Sequence, residues 1–202
     1  MDIESLIQAA GHVGIIAAIF AESGILIGLL LPGDSLLITA GFLAAGGLLD
    51  IRVLIIGCTL AAILGDAVGY ATGKYFGPMV FVKEDSFFFR KAYIEKTAMF
   101  FKRYGRFTII AARFTPIVRT LAPIMAGVGG MPYRKFALYN IIGGLLWAAG
   151  LLSASFAAGL YIPGLRDYIE YIVVAIIVLS ILPIVREVLH KKQHAPTQGE
   201  IK

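Results

Sequence analysis

Four charged residues lie within apolar stretches of this sequence, where a lipid-embedded chain would carry none: Glu22, Asp34, Arg113 and Arg119. An ionised side chain at the bilayer centre costs about 2.5–3.5 kcal/mol on insertion scales, so such residues tend to be paired, to face a cavity and to be functional. Two acids in the first half balance two arginines in the second half. We therefore expect these four side chains to form the functional site.

The composition indicates an integral membrane protein. Of 202 residues, 58% are hydrophobic and 15% are charged, whereas a soluble domain contains about 25% charged residues. The net charge of +5 would suit nucleic-acid binding, but the basic residues flank apolar segments and no soluble domain presents them. We therefore expect no nucleic-acid partner. The single cysteine, Cys58, excludes an internal disulfide bond.

Six apolar blocks divide the chain: 13–31, 35–49, 53–73, 107–129, 136–162 and 169–185. A straight span takes about 20 apolar residues, which the third, fifth and sixth blocks meet or approach. The second block is too short, the fourth contains Pro116 and Pro123, and the first has Glu22 at its centre. Interrupted apolar segments in matching positions of two halves are typical of transporter binding sites. We expect re-entrant helical hairpins at 8–48 and 105–130; ordinary spanning helices with tolerated charges are the alternative.

The spacing of the charges requires breaks in the helices. On an unbroken helix, Glu22 and Asp34 would lie about 18 Å apart, so they share a site only if the chain folds back, for example at Pro32-Gly33. Pro116 lets the two arginines on either side of it converge. We interpret Pro32, Gly33 and Pro116 as helix breakers rather than as ligands. Each expected hairpin ends in a glycine pair, which indicates a weak internal repeat or a coincidence.

Basic residues orient the segments in the membrane. Residues 74–106 hold eight lysines or arginines, and the turn at 134–135 and the tail beyond 185 are also basic. The positive-inside rule places these segments in the cytoplasm. The first hairpin then enters from outside and the second from the cytoplasm, which is an inverted arrangement with a cytoplasmic C-terminus.

The expected fold is an all-α integral membrane protein. It has two inverted re-entrant helical hairpins, about three transmembrane helices and an interfacial amphipathic helix, whose aromatic and basic faces are clearest over 90–106 and suit the headgroup layer. We expect a single membrane-embedded domain over 1–190, followed by a disordered cytoplasmic tail at 191–202. Its parts are a first half at 8–77, the interfacial helix at 80–106, a second half at 107–162 and a last transmembrane helix at 168–189.

Three motifs together carry a family resemblance. They are E-S-G-I-L-I-G-L-L-L-P-G-D-S at 22–35, G-D-A-V-G-Y-A-T-G-K-Y-F-G at 65–77 and R-F-T-P-I-V-R-T-L-A-P-I-M-A-G at 113–127. In this order and spacing they resemble the DedA family, also called VTT-domain or SNARE-associated-Golgi-type membrane proteins, over about residues 10–160. The resemblance implies two re-entrant hairpins and a bacterial plasma-membrane location. It also implies transport of undecaprenyl phosphate or a phospholipid that depends on the proton gradient, and the eukaryotic relatives are scramblases.

The family's membrane acids map onto Glu22 and Asp34, and its arginine pair onto Arg113 and Arg119. Independently of the family, arginine offers bidentate hydrogen bonds to phosphate and stays charged when desolvated. Carboxylates in a low dielectric exchange protons near neutral pH. We expect the ionised acids to pair with the arginines, and the protonated acids to release the arginines to a lipid phosphate. Buried salt bridges that merely join the hairpins are the alternative.

For two further residues, Asp66 and Trp147, we favour a structural role. Asp66 either borders the cavity or hydrogen-bonds free backbone groups of a hairpin, and we favour the structural role. Trp147 is expected in an aromatic belt or in packing.

The sequence gives no support for catalysis, a cofactor or a metal site. No histidine lies near the arginine stretch to serve a nucleophile, and His12, His190 and His194 lack the spacing of metal ligands. The expected partners are an anionic lipid, protons and the surrounding membrane lipids. A small-ion/proton antiporter, an uncoupled phospholipid scramblase, an assembly factor and a homodimer stay open.

Overall fold

The computed structural model describes residues 3–24, 33–80, 99, 101 and 103–162, and in these residues every regular element is a helix. The elements in chain order are α1 (Ile3–Gly24), α2 (Gly33–Ala45), α3 (Ile51–Val80), a 3-10 turn (Gly105–Phe107), α4 (Thr108–Ala112), α5 (Pro116–Val128), α6 (Tyr133–Gly144), a π-helical turn (Leu145–Ala149) and α7 (Gly150–Tyr161).

Two of these helices are long and apolar enough to cross a membrane. They are Ile51–Phe76 of α3 and the continuous helix Tyr133–Tyr161, which joins α6, the π-helical turn and α7. At 1.5 Å per residue they measure about 39 and 44 Å, against about 30 Å of hydrocarbon. They correspond to the third and fifth apolar blocks. The expected last transmembrane helix at 168–189, the tail at 191–202 and most of the interfacial helix at 80–106 lie outside the described residues.

Two helices of the expected site, α2 with Asp34 and α5 with Arg119, are too short to span a bilayer. α2 and α5 have 13 residues each, which is about 20 Å. Their length fits the expected re-entrant hairpins. The connection between α1 and α2, including Pro32, lies outside the described residues, and the hairpin geometry stays a prediction.

The chain breaks between α4 and α5, as the position of Pro116 predicts. The backbone N–H groups of Arg113, Phe114 and Thr115 bond to carbonyls three residues back, at 3.2, 3.3 and 2.9 Å. Thr115 is extended, with φ −130° and ψ 108°, because the residue before a proline avoids the helical region. Proline is favourable at the first position of a helix, and α5 starts there. The turn thus separates the two arginines onto different elements.

The two short helices α2 and α5 end in the same motif. Gly47 and Gly130 have φ values of 84° and 67°, a left-handed conformation that favours glycine. Leu48 N–H bonds to the Leu43 carbonyl and Met131 N–H to the Ala126 carbonyl, each at 3.0 Å. This is the Schellman arrangement of a helix C-terminus. The glycine pairs seen in the sequence therefore have equivalent structural positions.

The helix pairs α1/α2 and α4/α5 exchange partners between the two halves of the chain. α1 packs on α3 and α4 packs on α6, within their own halves, whereas α2 packs on α7 and α5 packs on α3. In each helix pair, one helix thus packs on the long helix of its own half of the chain. The other packs on the long helix of the opposite half. The start of α2, the end of α1 and the start of α5 meet in the resulting central region.

Glycines allow the closest of these helix contacts. A Cβ atom added to Gly24 of α1 would lie 3.0 Å from Gly65 Cα of α3. A Cβ on Gly73 of α3 would overlap the backbone carbonyl of Ile124 in α5, and one on Gly127 of α5 would overlap the Tyr70 carbonyl. Small residues at such crossings let the helix backbones approach each other in membrane proteins.

We expect Gly73→Ala to destabilise the protein, because the added methyl group meets backbone, which cannot rotate away. Overpacking of this kind costs about 1–3 kcal/mol, which lowers Tm by about 2–12 °C in a chain of this size. Thermal unfolding in detergent measures the loss. Gly14→Ala is the matched control, since a Cβ there has no neighbour within 4 Å, and its Tm should stay unchanged or rise slightly. Equal Tm values for the two variants would contradict the packing.

Candidate functional site

Arg119 on α5 binds both acids of the first helix pair. Its Nη1 lies 2.8 Å from Asp34 Oδ1, and its Nη2 forms an ion pair with Glu22 Oε1. The two terminal nitrogens of one guanidinium therefore engage carboxylates from α1 and α2. The Glu22 side chain is 1% exposed and that of Asp34 is 46% exposed. Access to this ion-pair triad is therefore from the Asp34 side.

The Glu22 carboxylate lies against the N-terminal end of α2. A Cβ atom on Gly33, the first residue of α2, would overlap both the Oε1 and Oε2 region of Glu22. The N-terminal end of a helix carries partial positive charge, which stabilises an anion placed there. Gly33 is thus needed for the close approach of this acid, beyond its expected role as a helix breaker. Among the described residues, Glu22 Oε2 has no hydrogen-bond partner.

Arg113 forms a second ion pair, with Asp66 of α3. Its Nη2 lies 2.6 Å from Asp66 Oδ2 and 2.6 Å from Asn140 Oδ1 of α6. Asn140 in turn donates from Nδ2 to the Ile63 carbonyl at 2.9 Å. The Arg113 and Asp66 side chains are 4% and 8% exposed. A buried guanidinium is thus neutralised within the helix bundle.

This second pair corrects the expected pairing of charges. The sequence predicts that Glu22 and Asp34 pair with the two arginines, and that Asp66 either borders the cavity or, in the favoured interpretation, hydrogen-bonds free backbone groups. In the structure both acids bind Arg119, whereas Asp66 is the acid that binds Arg113. The difference arises because α5 and α3 pack together closely through glycines, which brings the middle of α3 against the α4–α5 turn. Arg113 and Arg119 therefore belong to two neighbouring ion-pair groups.

Trp147 lies between these two ion-pair groups. The sequence predicts only a place in an aromatic belt or in packing for this residue. Its Nε1–H donates to Asp34 Oδ1 at 2.7 Å. Its ring centre lies 4.9 Å from the guanidinium carbon of Arg119 and 5.8 Å from that of Arg113, within the range of cation–π attraction. The residue is 2% exposed. A buried indole N–H needs an acceptor, but the burial of this single tryptophan comes from packing and is not visible in the sequence.

The network as a whole contains three carboxylates and two guanidiniums. With every group ionised its formal charge is −1, from three acids and two arginines. A buried charge without compensation is costly, and binding of one proton by an acid would balance this network. Among the described residues, no three His, Cys, Asp or Glu side chains are grouped to hold a metal ion.

We expect Asp66→Asn to destabilise the protein strongly, because it leaves the Arg113 guanidinium buried without its counter-ion. Breaking one partner of a buried pair costs about 3–5 kcal/mol. The double variant Asp66→Asn/Arg113→Gln removes both charges and should unfold at a higher temperature than Asp66→Asn alone. Thermal unfolding in detergent compares them, with the exposed Arg52→Gln as a control that should match the wild type. Additive losses in the double variant would mean that the two side chains do not interact.

A family model for the VTT domain matches residues 31–157. This segment extends from the start of α2 into α7 and contains Asp34, Asp66, Arg113, Arg119 and Trp147, whereas Glu22 precedes it. The match covers more than half of the chain.

Three curated bacterial proteins are similar to this chain over most of their length, and two of them are named as membrane proteins. Protein DedA of Escherichia coli K12 is 45% identical over 179 residues, which are 88% of this chain and 81% of that protein. The uncharacterized membrane protein ML0287 of Mycobacterium leprae is 41% identical, over 89% of this chain and 80% of its own. Inner membrane protein YghB of Escherichia coli K12 is 36% identical, over 82% and 75%.

No solved structure matches the chain. The family model and the extent of the similarity to Protein DedA agree with the two membrane-capable helices and with the three sequence motifs. The chain is therefore a membrane protein of the DedA family, built around a VTT domain.

Proposed function

We propose that this protein moves an anionic lipid across the bacterial plasma membrane by binding its phosphate group, and that this movement is coupled to the binding of protons by buried acids. Undecaprenyl phosphate is the first candidate, and a phospholipid is the second. The observation that carries this proposal is the occupation of both terminal nitrogens of Arg119 by carboxylates. A phosphate presents oxygens to the same two nitrogens, because guanidinium binds carboxylate and phosphate in the same forked geometry.

Because the carboxylates and the lipid phosphate compete for Arg119, lipid binding is coupled to proton binding. With Glu22 and Asp34 ionised, Arg119 is neutralised and phosphate is repelled by the excess negative charge. Once protonated, these acids no longer form ion pairs with the guanidinium, which leaves a positive site for the lipid headgroup. The excess of one carboxylate in the network supports a role for a proton in its charge balance.

The exposure of the side chains supports a division of roles. Asp34, which is 46% exposed, lies where a headgroup and water would reach Arg119. Glu22 is enclosed against α2 and serves as the inner proton site. Arg113, held by Asp66 and Asn140, becomes the second phosphate ligand when its ion pair opens. In this scheme Arg119 is the primary ligand.

The energy of a proton is adequate for such coupling. One proton crossing a potential of 100 mV yields about 2.3 kcal/mol, which biases an equilibrium about 50-fold. The basic segments at 74–106 support a cytoplasmic position for that side of the protein and for the C-terminus. One relative, YghB, is named an inner membrane protein, and we propose the same location here.

A second candidate, a small-ion/proton antiporter, is favoured by a different observation. Glu22 Oε2 is buried without a hydrogen-bond partner among the described residues, and the ionised network has one excess negative charge. A small cation would satisfy both. In that case the arginines would act as counter-ions and lipid would not move.

We expect Arg119→Lys to reduce lipid transport by about 10–100-fold, since a lysine cannot give the forked pair of hydrogen bonds and loses one charge-assisted contact. The assay follows a labelled polyprenyl phosphate across proteoliposome membranes, with and without an imposed pH gradient. The exposed Arg134→Lys is the matched control and should transport like the wild type.

The same assay separates the alternatives. Movement that requires Arg119 and follows the gradient supports the coupled carrier. Movement that requires Arg119 but ignores the gradient would leave an uncoupled scramblase. Absence of lipid movement from folded protein, together with pH-driven uptake of Na⁺ or K⁺, would replace the lipid carrier by the antiporter.

A further inference from the structure

Trp147 contacts both ion-pair groups. Its N–H is bonded to Asp34 Oδ1 at 2.7 Å, and its ring lies 4.9 Å from the Arg119 guanidinium and 5.8 Å from that of Arg113. Asp34 Oδ1 thus accepts hydrogen bonds from both Trp147 and Arg119. The indole and the Asp34 carboxylate therefore both contact the Arg119 guanidinium.

The backbone around Trp147 has an unusual conformation. Leu145–Ala149 forms a π-helical turn, which is rare and occurs often at functional sites. On its N-terminal side, α6 packs on α4, and on its C-terminal side, α7 packs on α2. The wide turn therefore lies between the part of the long helix that supports the second helix pair and the part that supports the first. A residue in this turn can therefore contact both helix pairs.

We infer that Trp147 is a positioning residue that links the two ion pairs: its bond to ionised Asp34 keeps the indole over both arginines, and loss of that bond exposes both guanidiniums to one anionic headgroup. The linkage stands on the contacts alone, whereas its ligand rests on the function proposed above. A core residue that only fills space would not depend on the ionisation of Asp34. Among the described residues, the charged groups at this site are Glu22 of α1, Asp34 of α2, Asp66 of α3, Arg113 after α4 and Arg119 of α5.

The first test needs no lipid, because the chain contains one tryptophan and its emission therefore reports on this site alone. In the purified full-length protein in detergent, the Trp147 emission maximum should shift between pH 9 and pH 5. Asp34→Asn should abolish that transition and give a pH-independent emission. Asp50→Asn, in the exposed connection between α2 and α3, is the matched control and should keep the transition. A transition that survives unchanged in Asp34→Asn overturns the inference.

The second test measures farnesyl phosphate binding, from the ligand-induced rise in Tm between pH 5 and pH 9. Trp147→Phe keeps an aromatic ring but lacks the N–H that supports ionised Asp34. Its binding should therefore extend to a pH higher by about one unit or more than in the wild type. Farnesol, which lacks the phosphate, should not bind at this site. A variant with the wild-type pH profile would show that Trp147 only fills space.

The two tests fail for different reasons. If farnesyl phosphate does not bind the wild type at any pH, the proposed function loses its support, and the emission experiment still decides whether Trp147 follows Asp34. If Trp147→Phe does not fold, the emission experiment decides again, since it uses the native tryptophan. If binding is normal but neither profile depends on Asp34 or Trp147, the linkage is wrong and the lipid carrier stands.

Discussion

The structure depends on the high cost of isolated charge in apolar surroundings. Five ionisable side chains lie at or near the centre of a largely hydrophobic chain, and each is acceptable there only because an opposite charge is within reach. Arg119 joins Glu22 and Asp34, and Arg113 joins Asp66. Asn140 and Trp147 add side-chain hydrogen bonds to Arg113 and to Asp34, respectively.

This constraint accounts for the broken helices. An unbroken helix would keep Glu22 and Asp34 about 18 Å apart, and they could not share Arg119. In the described residues α1 instead ends at Gly24, α2 begins at Gly33 and α5 begins at Pro116. Gly33 then lets the Glu22 carboxylate approach the start of α2. The breaks that look unfavourable in the sequence are what allow the charges to meet.

The sequence predicts the charged centre and its breaks better than it predicts the pairing. Glu22, Asp34 and Arg119 stand out because charge in apolar sequence is expensive, and Pro116 marks a break by its covalent structure. The partner of Arg113 could not be predicted, because Asp66 lies in an ordinary-looking helix and its approach depends on how α3 packs on α5. Trp147 was missed for the same reason, since its contacts come from a turn whose π-helical form has no local signature. The re-entrant hairpins and the membrane orientation are predictions still.

The exchange of packing partners between the two halves has a consequence for biosynthesis. The acids of the first half are made well before their counter-ion: Arg119 follows Asp34 by 85 residues, which at 5–20 residues per second is a delay of about 4–17 s. α2 likewise has to await α7, on which it packs. During this interval a nascent first half has unneutralised carboxylates and an uncovered helix face in or near the membrane. Until the second half is inserted, the acids of the first half therefore have to be protonated, exposed to water or paired with another molecule.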